Sequence, residues 1–144
     1  MTITVREINT EDVVLLNRYY DKRALSSLPQ HTGEPFRFGK VVWAYDLIEM
    51  VDGKPSIVDI DKDLAELNNI FYTNDAVFTY INGTIHVKAQ LPPDALKGDE
   101  REQFSTLGFL DLEGELLVVA ATMPVWVAEG RGLDLSININ TNIA

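Results

Sequence analysis

The sequence predicts an α+β domain: a mainly antiparallel β-sheet of five to seven strands with one N-terminal helix and room for a second short helix. Three features point there. Asn82-Gly83 sits between two apolar runs, the dipeptide that favours a type I′ turn because both positions take positive φ. Residues 133–143 alternate apolar and polar, with Thr141 the one polar residue on the apolar face, the period of a half-buried strand. Val13, Leu16 and Tyr20 recur at helical spacing.

Taken in order, Ile3 and Val5 alternate with polar neighbours in a short opening strand. Asn9 or Thr10 then caps the helix, with Glu11 and Asp12 in its first turn and Lys22 and Arg23 in its last, each charge at the end the helix dipole favours. Residues 26–35 are a turn-rich connector, and Phe36 to Tyr45 is a strand rich in β-branched and aromatic residues. Asp52-Gly53 marks a turn, and Pro55 bars a central strand position. Asp61 or Asp63 caps the second short helix, through Leu64, Leu67 and Ile70-Phe71. Val77 to Ile81 and Thr84 to Leu91 form the Asn-Gly hairpin, which Pro92-Pro93 ends. Phe104 to Leu112 and Glu115 to Met123 form a second hairpin across Glu113-Gly114. Pro124 to Gly132 is a longer return into the last strand, where Leu133, Leu135, Ile137, Ile139 and Ile143 share one face. No repeat or linker divides residues 1–144, which read as a single domain.

The chain has 144 residues and a formal charge of −10. Residues 1–50 carry 7 acids and 6 bases, and residues 51–144 carry 15 and 6, so nearly all the excess lies in the second part. Nucleic acid is an unsuitable partner, since phosphate binding needs surplus Lys and Arg. The run from Leu116 to Ala128 is too short and too interrupted to span a bilayer, and the N-terminus lacks the pattern of a signal peptide. No membrane insertion is expected, and a cysteine-free chain suits a reducing cytoplasm.

The sequence yields no catalytic, metal-binding or cofactor-binding residue. There is no cysteine, and His31 and His86 are far apart. Asp59, Asp61 and Asp63 have the spacing that opens an EF-hand loop, but Leu64 and Ile70 stand where Gly and Glu are required. The acids at 99–102 and the pair Glu113 and Glu115 read as solvated turn charges rather than paired catalytic carboxylates. Gly130-Arg131-Gly132 reads as a tight turn in preference to an anion nest. An alternative function is a carbohydrate- or small-ligand-binding β-module, with Trp43 and Tyr45 on one strand face, joined by Trp126, as a stacking platform.

The segment Leu107-Gly108-Phe109-Leu110-Asp111, turning at Glu113-Gly114-Glu115 and returning as an apolar strand, resembles phage tail-collar and tail-fibre N-terminal (attachment) domains, whose strand "I-G-L-[YF]-D" turns at "x-D-G-[DE]-L". The likeness continues through Pro124 into Gly130-Arg131-Gly132, and Leu67-Asn68-Asn69-Ile70-Phe71-Tyr72 is similar to the family's "L-x-N-x-[VI]-Y". It covers about residues 36–144. One departure is Tyr45-Asp46-Leu47, where the family often has Gly-Asp-Gly.

The resemblance implies a structural, non-enzymatic virion protein of a phage tail or baseplate, made in the host cytoplasm. It would be a fibre-attachment, adaptor or collar module, commonly a homotrimer, binding other tail, baseplate or fibre proteins. On that reading Val125, Trp126 and Val127, with Leu135, Ile137 and Ile139 of the last strand, contribute to contacts between subunits. Trp126 is the expected anchor, because a large aromatic supplies much desolvated contact area.

Overall fold

The computed structural model describes residues 2–8, 12–33 and 35–140. It contains β1 (Thr2–Ile8), β2 (Val13–Leu15), α1 (Asn17–Ser26), β3 (Phe38–Ala44), β4 (Ile48–Val51) and β5 (Lys54–Ile57). These are followed by β6 (Ile70–Asn74), β7 (Val77–Ile81), β8 (Thr84–Leu91), β9 (Arg101–Asp111), β10 (Leu116–Ala128) and β11 (Arg131–Asn140). The protein is mainly antiparallel β with one helix among the described residues, and it has more strands than the five to seven predicted.

Nine strands form one sheet in the order β6-β3-β9-β10-β11-β8-β7, with β2 beside β10 and β1 running parallel to β11. β4 and β5 form a separate hairpin. β10 and β11 share the single pair Ala128↔Arg131 and then diverge. On the side where they part, β2 lies along β10 and β1 along β11. The sheet therefore folds into two leaves, β6-β3-β9-β10-β2 and β7-β8-β11-β1. One buried cluster fills the space between them, joining Trp43, Leu107 and Phe109 of the first leaf to Val87, Leu133 and Ile137 of the second. A smaller cluster, including Leu16, Val42, Leu67 and Val119, covers the outer face of the first leaf. That second cover explains why Leu116 to Ala121 of β10 are all apolar, as a stretch buried on both faces requires.

The helix begins later than predicted. Val13–Leu15 is a strand because its backbone pairs with Val118, Val119 and Ala120, and β-branched Val13-Val14 suits a pleated surface. The cap expected at Asn9 or Thr10 lies outside the described residues. Buried Leu16 occupies the N-cap position with extended backbone and no side-chain cap bond. The N–H of Asn17 is satisfied by the Lys62 carbonyl at 2.9 Å. The second short helix does not form. Asp61 Oδ1 accepts from the Asp63 N–H at 2.9 Å, a local turn that competes with helix, while Lys62 O is engaged by Asn17. Ile70-Phe71, expected to end that helix, instead belongs to β6.

The Asn-Gly hairpin is as predicted, with Asn82 at φ 50° and Gly83 at φ 85°. Pro55 lies in the separate two-stranded sheet, paired with Met50. The return expected from Pro124 to Gly132 is shorter. β10 runs on to Ala128 through an irregularity between Ala121 and Val125, and this break in register accommodates Pro124. The tight turn falls at Glu129-Gly130, with Gly130 at φ 81°.

The leaves are joined at a corner. β6 pairs with β3 in one leaf and β7 with β8 in the other, yet only Asp75-Ala76 separates them in sequence. Asn74 bridges the two leaves. Its Oδ1 accepts from the Trp43 indole N–H at 2.8 Å, and its Nδ2 donates to the Gln90 carbonyl at 2.7 Å. Phe38 of β3 stacks on Phe78 of β7 at 5.0 Å, and both meet Phe109 edge-on at 6.2 Å. Asn74→Ala leaves the buried Trp43 donor unpaired, and should lower stability by about 1–3 kcal/mol in urea unfolding followed by far-UV circular dichroism.

Candidate assembly site

The turn between β9 and β10 carries the motif on which the resemblance rests. Asp111 ends β9 almost fully buried, and its Oδ1 accepts from the N–H groups of Glu113 and Glu115, each at 2.9 Å. Its Oδ2 accepts from Lys22 of α1, which also pairs with Glu115 at 2.6 Å. Arg18, one turn earlier, donates to the Leu116 carbonyl at 2.7 Å. The aspartate therefore ties the hairpin tip to itself and to the helix.

Burial disfavours the Asp111 carboxylate, but the Lys22 hydrogen bond and charge and the two backbone N–H groups outweigh it and hold the carboxyl below its usual range. Burial likewise works against the Lys22 ammonium, and its bonds to Asp111 and Glu115 outweigh it and hold the group above its usual value. Both shifts favour the charged pair across neutral pH.

The other motif residues pack against one another. A side chain at Gly108 would lie 2.8–2.9 Å from side-chain atoms of Val42, Leu116 and Leu67, so the glycine of one motif receives the leucine of the other. Asn69 donates to the Tyr45 carbonyl at 3.1 Å, and Asp46 accepts from the N–H groups of Asn68 and Asn69 at 3.1 and 3.0 Å. Leu47 takes φ 63°, a left-handed conformation that glycine adopts more freely. Buried Ser105 and Thr106 both donate to the Asp46 carbonyl, at 2.8 and 2.7 Å.

The remaining polar candidates are engaged in turns and strand surfaces. His86 meets Asn138 Oδ1 at 2.7 Å across the β8–β11 ladder. His31 lines a concavity of about 470 Å3 beside α1, together with Lys22, Phe36 and Asp111. Glu100 accepts from the Lys97 N–H, and Glu129 from the Gly98 N–H. The Gly130 N–H donates to the Pro93 carbonyl at 2.8 Å, which takes that donor away from an anion nest. Among the described residues no group of three or more His, Asp or Glu is placed to hold a metal ion.

The stacking platform is corrected. Trp43 is fully buried, its ring tilted against Phe104 at 5.1 Å, so no sugar ring can lie on it. Tyr45 is half-buried. Of the six residues expected at subunit contacts, Leu135, Ile137, Ile139 and Val127 belong to the chain's own core and Val125 is half-buried against it. Trp126 differs: 56% of it is exposed, with Met123 on the same strand at 46%. Lys22 and Asp111 carry no local signal as partners, because 89 residues separate them.

The family model of bacteriophage P1 tail fiber protein R matches residues 5–144, which takes in the N-terminal strand and helix as well as the hairpins. Tail fiber protein R of Escherichia phage P1 is 31% identical over 134 residues, covering 90% of this chain and 92% of that protein. No solved structure matches the chain. Among the described residues no helix is long and apolar enough to cross a membrane.

Asp111→Ala should cost about 1–3 kcal/mol of stability, since several hydrogen bonds and an ion pair are lost together. Asp111→Asn keeps the Oδ1 acceptor and should cost less. A carboxyl held below its unfolded value of about 3.9 stabilises fully above about pH 5 and loses that contribution as pH falls through the folded value. The stability gap between the native chain and Asp111→Asn should therefore be open at pH 7 and close as unfolding is measured below about pH 4.

Proposed function

This chain belongs to the family of bacteriophage P1 tail fiber protein R, and from that premise we propose that it is an attachment, adaptor or collar module of the virion tail or baseplate. It is a structural, phage tail-fibre-related protein. The finer reading is that it joins neighbouring tail, baseplate or fibre proteins, assembles as a homotrimer and carries no chemistry of its own. The observation that carries the family assignment is the similarity over nearly the whole length of both chains.

Trp126 supports the assembly reading. It projects from the last stretch of β10 between half-buried Val125 and buried Val127, so a paired strand holds a large aromatic out to solvent. Tryptophan held this way contributes most when a partner desolvates it. The acidic excess fits the same picture. Glu113, Glu115 and Glu129 lie at turns, and Asp94, Asp99 and Glu100 lie in the segment between β8 and β9. The paired strands between them carry few carboxylates.

Trp126→Ala should leave the far-UV circular dichroism spectrum unchanged and reduce the mass measured by light scattering to one third of the native assembly's. An unchanged mass would contradict the assignment of Trp126 to the contact.

A further inference from the structure

A second surface carries an inference that does not depend on Trp126. β7 ends its leaf, paired with β8 on one side and with no strand on the other among the described residues. Across a two-residue hairpin with both turn residues at positive φ, Ile81 and Thr84 exchange backbone hydrogen bonds, and so do Thr79 with His86 and Val77 with Lys88. The N–H and C=O groups of Phe78 and Tyr80 therefore point away from β8, along the open edge.

Protein sheets commonly protect such an edge with Lys, Pro or a bulge. Residues 77–81 contain none of these, and Val77, Tyr80 and Ile81 are 65%, 65% and 52% exposed. Residues 76–86 also carry no Asp, Glu, Lys or Arg in a chain of charge −10, and flanking Asp75 is paired with Lys40 at 3.1 Å. Two copies can meet here without opposing unpaired carboxylates. The strand is self-complementary as well. Outward from Thr79, each direction gives an aromatic residue and then a β-branched one: Phe78 and Val77 on one side, Tyr80 and Ile81 on the other.

We infer that β7 pairs antiparallel with β7 of a second copy of this chain about a two-fold axis at Thr79. Phe78 then lies opposite Tyr80 of the second copy as a hydrogen-bonded pair, using the four outward groups of each strand. Val77 lies opposite Ile81, and Asp75 falls opposite Gly83 rather than another acid. The two leaves containing β7 become one continuous sheet.

The test uses the absence of native cysteine. Thr79 would face its copy in a non-hydrogen-bonded pair with Cα atoms about 4.5 Å apart, within disulfide range. Thr79→Cys with oxidised glutathione should give a covalent pair on a non-reducing gel, whereas Thr73→Cys, exposed on β6, should remain a single chain. Thr79→Lys, which sets two like charges against each other, should halve the mass seen by light scattering with an unchanged far-UV spectrum. The factor of two separates this contact from the factor of three expected at Trp126. Cross-linking of Thr79→Cys no faster than that of Thr73→Cys, or an unchanged mass for Thr79→Lys, would overturn the inference.

Discussion

The fold depends on the corner at Asp75-Ala76, where one run of chain leaves the first leaf and enters the second. Residues on either side must satisfy two different ladders within a few ångströms, so the corner is held by side chains rather than by backbone pairing. Asn74 does this with both ends of its amide, binding Trp43 in one leaf and the Gln90 carbonyl in the other. Phe38 and Phe78 close the apolar side, with Tyr19 of α1 reaching Phe38 at 5.9 Å. The same geometry has a consequence for assembly. Because the chain switches leaves here, β7 arrives as a terminal strand with one edge open.

The residues that resemble the tail-fibre pattern form a folding signature. Gly108 makes room for Leu67, Asp111 fixes the hairpin tip and anchors Lys22, and Asp46 caps the turn before β6. Leu47 holds a left-handed backbone, and its side chain packs against the cluster containing Val42 and Leu67. The conformation carries a steric cost of about 1–2 kcal/mol. The recognisable residues thus lie within the fold, while the surfaces proposed for partners, Trp126 and the β7 edge, lie outside the motif.

Locally encoded structure was legible in the sequence. Asn82-Gly83 specifies its own hairpin, and the alternation of Leu133, Leu135, Ile137 and Ile139 specifies a half-buried strand. Elements set by distant partners were not. Val13 belongs to a helix by spacing and to a strand because of its place beside Val118–Ala120, and Asp61 begins a turn because its neighbour Lys62 is needed by Asn17. The contact residues show the same division. Period-two alternation separates two faces but does not say whether the chain itself or another copy covers the apolar one. Leu135, Ile137 and Ile139 are covered from within, whereas Trp126 remains outside.

As proposed above, this chain is built into the tail as a structural part. Quantitative mass spectrometry of purified virions, and of tails separated from heads, tests it directly. The protein should be present in a fixed number of copies per particle and should fractionate with the tails. Its absence from intact particles made in cells that express it would contradict the claim.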